Sequence, residues 1–510
     1  MTFKDFRIIK SIGYVTAGTI LGKLTGFLKH YLIVYIFGLT ELSDAFFIAN
    51  AIPEMLINIL MYGLLAGAFI PVASEVLSKQ SNEQFNSFIN SILTFIGFLC
   101  VISAMVIFLI PIPIAKMLAT GYADKQLEIV AGLLVSIAPG FIFLGLAAIL
   151  SGILQVLEDF RIVSVGLFIF NLTFIISVLL LNPQYHIYSA GIGISLGAFF
   201  WFLSHLLFTY KRINFGQHFR LITEEVKRTG ILALPSFVVI TLTNLVLLLE
   251  RNFASVFAEG TISELNLGFR LSHLFLTVMI LPMSTVLFPR MAKYFYEKKY
   301  DRLKRMIRAI FQVITLFLIL FLLLFSFNSL LITQIVYFFL KIQSNKIIQI
   351  SEYALLYTFS FIGLFYYMFL IRIFYSMQKI WEIVKANLIG LFFYILSVYY
   401  LIPVIHSFAF PVSYAVYAVT SALYLTINLN ISFFSQSKPI ISNKVFFTVS
   451  FLYFSVVIIF RLLYGTGLDI FDNITLSVLF TGLYVYIIYK FKIVHFNRHK
   501  LFFILENDES

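Results

Sequence analysis

Apolar runs of roughly 20 residues recur along the whole chain, separated by short segments that carry most of its charge. A run of that length lets an α-helix cross the hydrocarbon core of a bilayer. The pattern therefore predicts an all-α polytopic membrane protein with about fourteen transmembrane helices. The predicted spans are 11–37, 44–74, 88–110, 127–157, 162–181, 187–210, 231–257, 264–289, 309–338, 350–376, 384–402, 409–432, 445–464 and 470–489.

Composition supports a membrane protein and argues against an enzyme. Of 510 residues, 61% are hydrophobic and 12% are charged, whereas soluble domains carry about 25% charged residues. The single cysteine, Cys100, excludes a disulfide framework and a cysteine-based metal cluster. The chain lacks HExxH, GxSxG and a Gly-rich loop followed by Lys-Ser/Thr, and none of its loops reaches domain size. We expect a transporter with no cofactor and no metal.

The formal net charge of +12 can be interpreted from the positions of the basic residues along the chain. Lysine and arginine collect in alternate loops, of which the longest are 211–230 and 290–308. By the positive-inside rule, both termini are predicted to lie in the cytoplasm. Basic residues in such loops typically lie next to anionic lipid, so we expect membrane lipid rather than nucleic acid as their neighbour.

An internal repeat divides the chain. Lys29, followed by FGLTELSDAFF and FIPVASE, parallels Arg251, followed by FAEGTISELNL and LFPRMAK. Six spans separate the copies, so both insert with the same orientation, and parallel repeats of this kind form two lobes with a substrate site between them. We predict an N-lobe at 1–215, a C-lobe at 216–440, and a final helix pair with a cytoplasmic tail at 441–510.

The first two spans of each half carry polar residues on an otherwise apolar helix surface. At 100° per residue these residues form stripes, which predict the wall of one hydrophilic cavity. Gly22 and Gly26 could twist the first span enough to turn both of its lysines inward. The striped residues are Thr16, Thr19, Lys23 and His30, with Lys29 about 120° away; Asn50, Glu54, Asn58 and Tyr62; Ser236, Thr243 and Glu250, with Asn244 and Arg251 beside them; and Asn266, Arg270, His273, Thr277 and Ser284.

The charges in these stripes favour an anionic substrate. The bilayer tolerates a charge only where it faces water, a counter-charge or a substrate. Lysine and arginine supply charge-assisted hydrogen bonds to phosphate, so a phosphate-bearing substrate fits best. The cations are Lys23, Lys29, Arg251 and Arg270, and the anions are Asp44, Glu54, Glu250 and Glu264. The last three anions could pair locally with the cations, which would leave the balance of the cavity cationic.

Three alternatives stay open at this point. The stripe around Arg270 could be a packing seam from which the arginine snorkels, and Glu250 with Arg251 could form a pair at the outer interface. Asp44 could cap the N-terminus of the second span, or it could gate the outer mouth through Lys29.

The segments GKLTGFLKHYLIVYIFG, SDAFFIANAIP, AFIPVASE and FYSMQKIWEIVKAN follow one another in an order that resembles the MurJ/MviN lipid II flippases. These belong to the multidrug/oligosaccharidyl-lipid/polysaccharide exporter superfamily. The resemblance implies a V-shaped, two-lobed transporter in the bacterial cytoplasmic membrane. It would move an undecaprenyl-pyrophosphate-linked peptidoglycan precursor to the outer leaflet by alternating access, for cell wall synthesis. It would act as a monomer, in association with the cell wall synthesis machinery.

Several functional residues of the family correspond to residues of this chain. The cavity cations correspond to Lys23, Lys29 and Arg270, and an acidic gating residue corresponds to Asp44. The family's arginine pair falls at Ile57 and Asn58, its glutamate before glycine falls at Tyr62, and two family arginines are lysines here. The groove for the lipid tail would lie at 445–489. With gating assigned to Asp44, the predicted substrate-binding residues are Lys23, Lys29, Glu54, Asn58, Arg251, Arg270 and His273.

The departures from the family pattern leave the cargo open. Besides lipid II, the sequence fits a flippase for another lipid-linked oligosaccharide. A membrane glycosyltransferase and a non-transporting scaffold for envelope synthesis are further alternatives. The glycosyltransferase would need a sizeable extracytoplasmic catalytic loop.

Overall fold

The computed structural model describes residues 3–216, 223–274, 291, 294–295, 297–433 and scattered positions between 475 and 486, with side chains from residue 17 onward apart from a few. The predicted spans at 445–464 and most of 470–489 lie outside the described residues. So do Thr277 and Ser284.

Within these ranges the chain is helical, which confirms the predicted all-α class. The described helices include nine candidate membrane spans, or ten if one bent pair is counted as a single span. The helices are α1 (Phe3–Phe37), α2 (Glu41–Lys79), α3 (Asn82–Leu109), α4 (Pro111–Leu118), α5 (Asp124–Val156), α6 (Phe160–Tyr185), α7 (Tyr188–Thr209), α8 (Glu224–Ala254), α9 (261–274), α10 (Tyr300–Val336), α11 (Ser344–Phe359), α12 (Phe361–Ser376), α13 (Ile380–Ile405) and α14 (Ala409–Phe433).

Three features of these helices differ from the predicted spans. Within α2, the segment Ile59–Phe69 is a π-helix between two α-helical parts. The short helix α4 was not predicted, since its eight residues cannot cross a bilayer. The predicted span 350–376 is bent by 43° between α11 and α12. Apolar pattern alone detects a span but not a change of backbone geometry inside it.

The second half of the chain repeats the helix boundaries of the first. Helices α5 and α6 begin at residues 124 and 160, and α11 and α13 begin 220 residues later at 344 and 380. Left-handed residues recur at the same offset, with φ of 58° at both Glu158 and Gln378, and 47° and 48° at His186 and His406. The internal repeat read from the sequence therefore extends to the backbone of the turns.

Glycines on α1 permit close packing against α6. A Cβ at Gly18 would lie 2.1 Å from the carbonyl oxygen of Ser164, and Asn171 donates a hydrogen bond of 3.0 Å to the carbonyl of Gly22. Small residues spaced by four let two membrane helices approach closely. Gly22 therefore serves helix contact. The predicted twist of α1 at Gly22 and Gly26 stays a prediction.

Packing separates the chain into two compact units, whose boundary falls inside α9, between Asn266 and Leu267. The first unit also includes 339–341. In its core, Leu65 and Phe69 of the π segment pack with Phe88 of α3 and Ile153 of α5. The predicted lobe boundaries at residues 215 and 440, which came from the repeat, remain a prediction.

Helix packing in the second unit depends on small residues and on a buried amide. A Cβ at Gly363 of α12 would lie 2.2 Å from the carbonyl carbon of Ala418 on α14. The side-chain oxygen of Asn387 on α13 accepts hydrogen bonds from the hydroxyls of Tyr367 and Tyr417, at 2.8 and 2.5 Å. Both interactions fix helices of the same unit against one another.

A carboxylate joins two helix ends of the first unit outside the spans. Asp159, between α5 and α6, accepts hydrogen bonds from the side chain of Arg161, at 2.9 and 2.7 Å, and from Arg212 after α7, at 2.6 Å. The Arg161 hydrogen bonds, together with Arg212, hold the pKa of Asp159 well below its usual range. Its charge therefore stabilises the fold at neutral pH.

We expect Asp159→Asn to lower stability by about 1–2 kcal/mol at pH 7, because two charge-assisted contacts are lost. A depressed pKa stabilises the fold above the ordinary aspartate value and ceases to do so as pH falls. The difference in melting temperature between wild type and variant should shrink below about pH 4. Thermal unfolding of the purified protein in detergent at several pH values measures it. Equal melting temperatures at pH 7 would refute this role.

Candidate functional site

A carboxylate and three basic side chains meet in the first unit. Glu54 on α2 lies 3.1 Å from His30 Nε2 and 4.0 Å from Lys29 Nζ, both on α1. Its second oxygen lies 3.7 Å from the guanidinium of Arg251 on α8. These four residues form what we call the Glu54 cluster. Three helices therefore contribute charge to one point inside the predicted membrane region.

Lys29 is held by neighbours of several kinds. Its Nζ donates a hydrogen bond of 3.3 Å to the side-chain oxygen of Asn50. The same atom lies 5.5 Å from the ring centre of Phe170 and 5.4 Å from that of Phe174, both on α6. Aromatic faces attract cations, so these rings help to offset the desolvation of the buried ammonium group. Lys29 therefore reaches the cluster although the sequence placed it off the polar face of α1.

The accessibility of the Glu54 cluster is uneven. The side chains of Lys29, His30 and Arg251 are 5%, 2% and 10% exposed, whereas that of Glu54 is 29% exposed. The His30 ring is stacked on Phe47, with ring centres 5.5 Å apart. The basic groups thus lie behind the carboxylate. Removing a partner from a buried charge is costly, so Glu54 helps to make the buried cations tolerable in this conformation.

The end of α8 that carries Arg251 is fixed by the loop after α4. Asn252 donates to the carbonyl of Met117 at 2.9 Å, and its side-chain oxygen accepts from the hydroxyl of Thr120 at 3.1 Å. The amide of Gly121 donates to Ser255 Oγ at 2.9 Å. Glu250 is buried. Arg251 is also buried and contacts Glu54. The alternative of a Glu250–Arg251 pair at the outer interface stays a prediction.

One turn beyond Glu54, a neutral pair links α2 to α8. Asn58 donates a hydrogen bond of 2.9 Å to the side-chain oxygen of Asn244. The side-chain nitrogen of Asn244 in turn donates to the carbonyl of Ile240. The π segment begins at the next residue, and Tyr62, four residues after Asn58, is exposed. The wider turn of a π-helix shifts the residues that follow relative to an α-helical stripe.

Asp44 caps a helix other than its own. Its two oxygens accept hydrogen bonds of 2.7 Å each from the amides of Gly260 and Ser263, at the start of α9. Ser263 Oγ also donates to it and lies 2.8 Å from Ser43 Oγ. The N-cap of α2 is Thr40, whose amide donates to Ser43 Oγ. The suggestion that Asp44 caps α2 was therefore wrong. Its gating role stays a prediction.

The remaining predicted residues lie elsewhere. Lys23 is an exposed residue of α1. Arg270 and His273 belong to the second unit, where Arg270 is half-buried. The His273 ring is stacked on Phe269 at 3.7 Å between ring centres, and its Nδ1 donates to the carbonyl of Phe269 at 3.0 Å. Their part in substrate binding stays a prediction.

Sequence reasoning overlooked several partners. His30 and Asn50 lie on the predicted polar stripes but are not among the predicted site residues, and no sequence pattern marks Ser263. The two phenylalanines facing Lys29 carried no recognisable signal, because the chain contains sixty. Within the described residues, no group of three or more His, Cys, Asp or Glu side chains could hold a metal ion.

A family model described as "Lipid II flippase MurJ" matches residues 33–485 of the chain. The chain belongs to the MurJ lipid II flippase family. This membership confirms the predicted resemblance and the prediction of a membrane transporter. The MurJ model begins just before α2 and continues to within a few residues of the last described position.

Individual MurJ relatives are distant but cover most of the chain. A probable lipid II flippase MurJ of Buchnera aphidicola is 25% identical over 76% of each chain. The lipid II flippase MurJ of Burkholderia cenocepacia is 22% identical over 85% of this chain and 86% of its own length. At these identities, each site residue must be argued from the structure of this chain.

Solved structures confirm the fold. A structure described as lipid II flippase MurJ in an inward closed conformation has a TM-score of 0.77 and 20% identity, covering 94% of this chain and 99% of its own. An inward-facing multidrug resistance MATE family transporter of the MOP superfamily has a TM-score of 0.66 and 13% identity, covering 88% and 98%. The chain therefore has the polytopic helical fold of these MurJ and MATE structures.

The Asp44 cap yields a local prediction. Asp44→Ala should expose the amides of Gly260 and Ser263 to hydrogen exchange and cost about 1–3 kcal/mol, because two buried donors lose their acceptor. Hydrogen exchange of a peptide covering 258–266, measured by mass spectrometry, detects the change.

Ser43→Ala is the matched control for Asp44→Ala. It removes the Ser43 hydroxyl that contacts Ser263 and leaves the carboxylate of Asp44 in place. Exchange in that peptide should stay near the wild-type rate in the control. Similar exchange in both variants would show that the carboxylate does not hold the start of α9.

Proposed function

We propose that this protein moves lipid II, an undecaprenyl-pyrophosphate-linked peptidoglycan precursor, from the cytoplasmic to the outer leaflet by alternating access. Family membership supports the class of cargo. The observation that carries the proposal for this chain is the Glu54 cluster, in which buried basic side chains converge inside the predicted membrane region. We place the protein in the bacterial cytoplasmic membrane as a monomer with both termini in the cytoplasm.

The Glu54 cluster suits the pyrophosphate of such a lipid. Lys29 supplies a compact cation, and Arg251 supplies a planar fork that can bind two phosphate oxygens at once. Asn50 and the neutral Asn58–Asn244 pair add amide groups along the same helices. The apolar prenyl chain would stay in lipid while the head group crosses. This division needs no chemical step, since the cargo leaves with the bonds it had on entry.

A second cargo is supported by one specific observation. At Asn58, where the family pattern has an arginine, this chain places a side chain that is hydrogen-bonded to Asn244. An amide pair favours neutral hydrogen-bonding groups such as sugar hydroxyls over a further phosphate. A flippase for another lipid-linked oligosaccharide is therefore the alternative. Native mass spectrometry of lipid that co-purifies with the protein distinguishes the two cargoes by mass.

Charge removal tests the proposed function. In bacteria depleted of their own flippase, wild-type protein should restore growth and delivery of lipid II to the outer leaflet, whereas Lys29→Ala should lower delivery at least tenfold. Lys29→Arg should retain part of the activity, because it keeps the charge. Lys23→Ala and Arg270→Ala test the predicted contributors outside the Glu54 cluster. Delivery can be measured by the susceptibility of lipid II to an externally added degrading enzyme.

The control for this series is Lys79→Ala, which removes an exposed lysine that pairs with Glu75 at the end of α2. It should support growth like the wild type. Lipid II delivery unaffected by Lys29→Ala would contradict the assignment of the Glu54 cluster. If Lys23→Ala and Arg270→Ala also left transport intact, the predicted cationic cavity would be wrong.

A further inference from the structure

We propose that Glu54 is a displaceable internal anion, which occupies the place of a substrate phosphate when the transporter is empty and leaves it when cargo binds. The inference rests on the proposed function, because it takes the Glu54 cluster to be the phosphate site. It assigns Glu54 a role in setting affinity and release, which differs from that of the basic residues that attract the cargo.

Three basic side chains converge on the Glu54 carboxylate. A carboxylate and a phosphate offer the same kind of charged oxygen acceptor, and both attract lysine and arginine. Two oxygens of Glu54 are divided among three basic groups, Oε1 toward Lys29 and His30 and Oε2 toward Arg251. This is the arrangement that two oxygens of a phosphate would adopt among the same residues. The carboxylate therefore resembles the ligand that the cluster is built to bind.

The second support is the length of the contacts. Charge-assisted hydrogen bonds between nitrogen and oxygen are about 2.7–2.9 Å long. Lys29 and Arg251 lie 4.0 and 3.7 Å from Glu54, so charge rather than tight hydrogen bonding holds these two contacts. The 3.1 Å contact with His30 is the closest of the three. A ligand that approached Lys29 and Arg251 more closely would gain hydrogen bonds that Glu54 does not make with them.

The third support is position. Glu54 is the most exposed member of the cluster, and the basic side chains lie behind it. An anion that enters from the accessible side meets the carboxylate before it reaches the cations. Since like charges at such separations repel, the phosphate and the carboxylate cannot both remain there at low cost. Glu54 must turn aside as cargo binds, and it can return as cargo leaves.

A displaceable anion would serve transport because the cargo must also be released. A site must bind strongly enough to load and weakly enough to unload. Buried lysine and arginine alone would favour retention of a pyrophosphate. Competition by Glu54 would weaken binding, and its return would restore a counter-charge to Lys29 and Arg251 once the site is empty. Removing this competition should therefore tighten binding and slow turnover.

The test compares pyrophosphate affinity of Glu54→Gln and wild type, using the purified full-length protein in detergent and titration calorimetry. Glu54→Gln should bind inorganic pyrophosphate about tenfold more tightly, which corresponds to about 1.4 kcal/mol. It should also transport lipid II more slowly than wild type in the depletion strain. Titration with farnesyl pyrophosphate forms a second arm. Tighter binding of this compound than of inorganic pyrophosphate identifies a lipid-linked source, and equal binding identifies the free anion.

The matched control is Glu75→Gln, which makes the same change on the same helix at a carboxylate paired with Lys79 and Arg228. Its pyrophosphate affinity should equal that of wild type. Adding Lys29→Met to Glu54→Gln should abolish the gain, because the tighter binding requires the cation. If Glu54→Gln does not fold, Glu54→Asp serves instead. Its shorter side chain withdraws the charge from the cations, and we expect it to bind pyrophosphate more tightly than wild type does.

The outcomes separate this inference from the proposed function. If wild type and Glu54→Gln bind pyrophosphate equally, or the variant binds more weakly while folded, Glu54 is only a structural counter-ion and the inference fails alone. If neither binds pyrophosphate or farnesyl pyrophosphate, the cluster is not a phosphate site and both proposals fail. Tighter binding that depends on Lys29 and is absent in Glu75→Gln supports displacement.

Discussion

The interaction on which the first unit depends is the ion pairing of the buried cations Lys29 and Arg251 with Glu54. Lys29 and Arg251 belong to helices far apart in sequence, and neither reaches bulk water easily. In lipid an uncompensated charge would disfavour the packing of any helix that carried it. Helices α1, α2 and α8 therefore have a common reason to meet where they do. The aromatic rings against Lys29 and the amide of Asn50 complete the surroundings of one of these cations.

Much of the fold could be predicted because the bilayer imposes a simple rule on sequence. Each span needs a long apolar run, and the spans found within the described residues match the predicted ones closely. Side-chain partners follow no such rule. Lys29 was placed away from the polar face of α1 by an ideal helical wheel, yet it contacts Glu54. A wheel treats a helix as isolated, while a long lysine side chain can reach around it toward an anion.

Asp44 illustrates a different boundary of sequence reasoning. Its chemistry was predictable, since an acidic residue at a helix start is a common cap. Its partner was not, because the capped amides of Gly260 and Ser263 lie more than 200 residues later in the chain. The internal repeat relates Asp44 to its partners. Ser43 and Asp44 occupy the positions that Ser263 and Glu264 occupy in the second copy, and the two serines are hydrogen-bonded to each other. Related positions of the two copies therefore meet.

The π-helical segment of α2 has a consequence for how this chain should be compared with its relatives. Backbone hydrogen bonds there span five residues instead of four, so side chains beyond Phe69 are rotated relative to those before Ile59. Two sequences can thus align residue for residue and still present different faces past this point. A substitution scan interpreted with one fixed angular period would assign the far end of α2 to the wrong neighbours. Each half of this helix therefore needs its own angular reference.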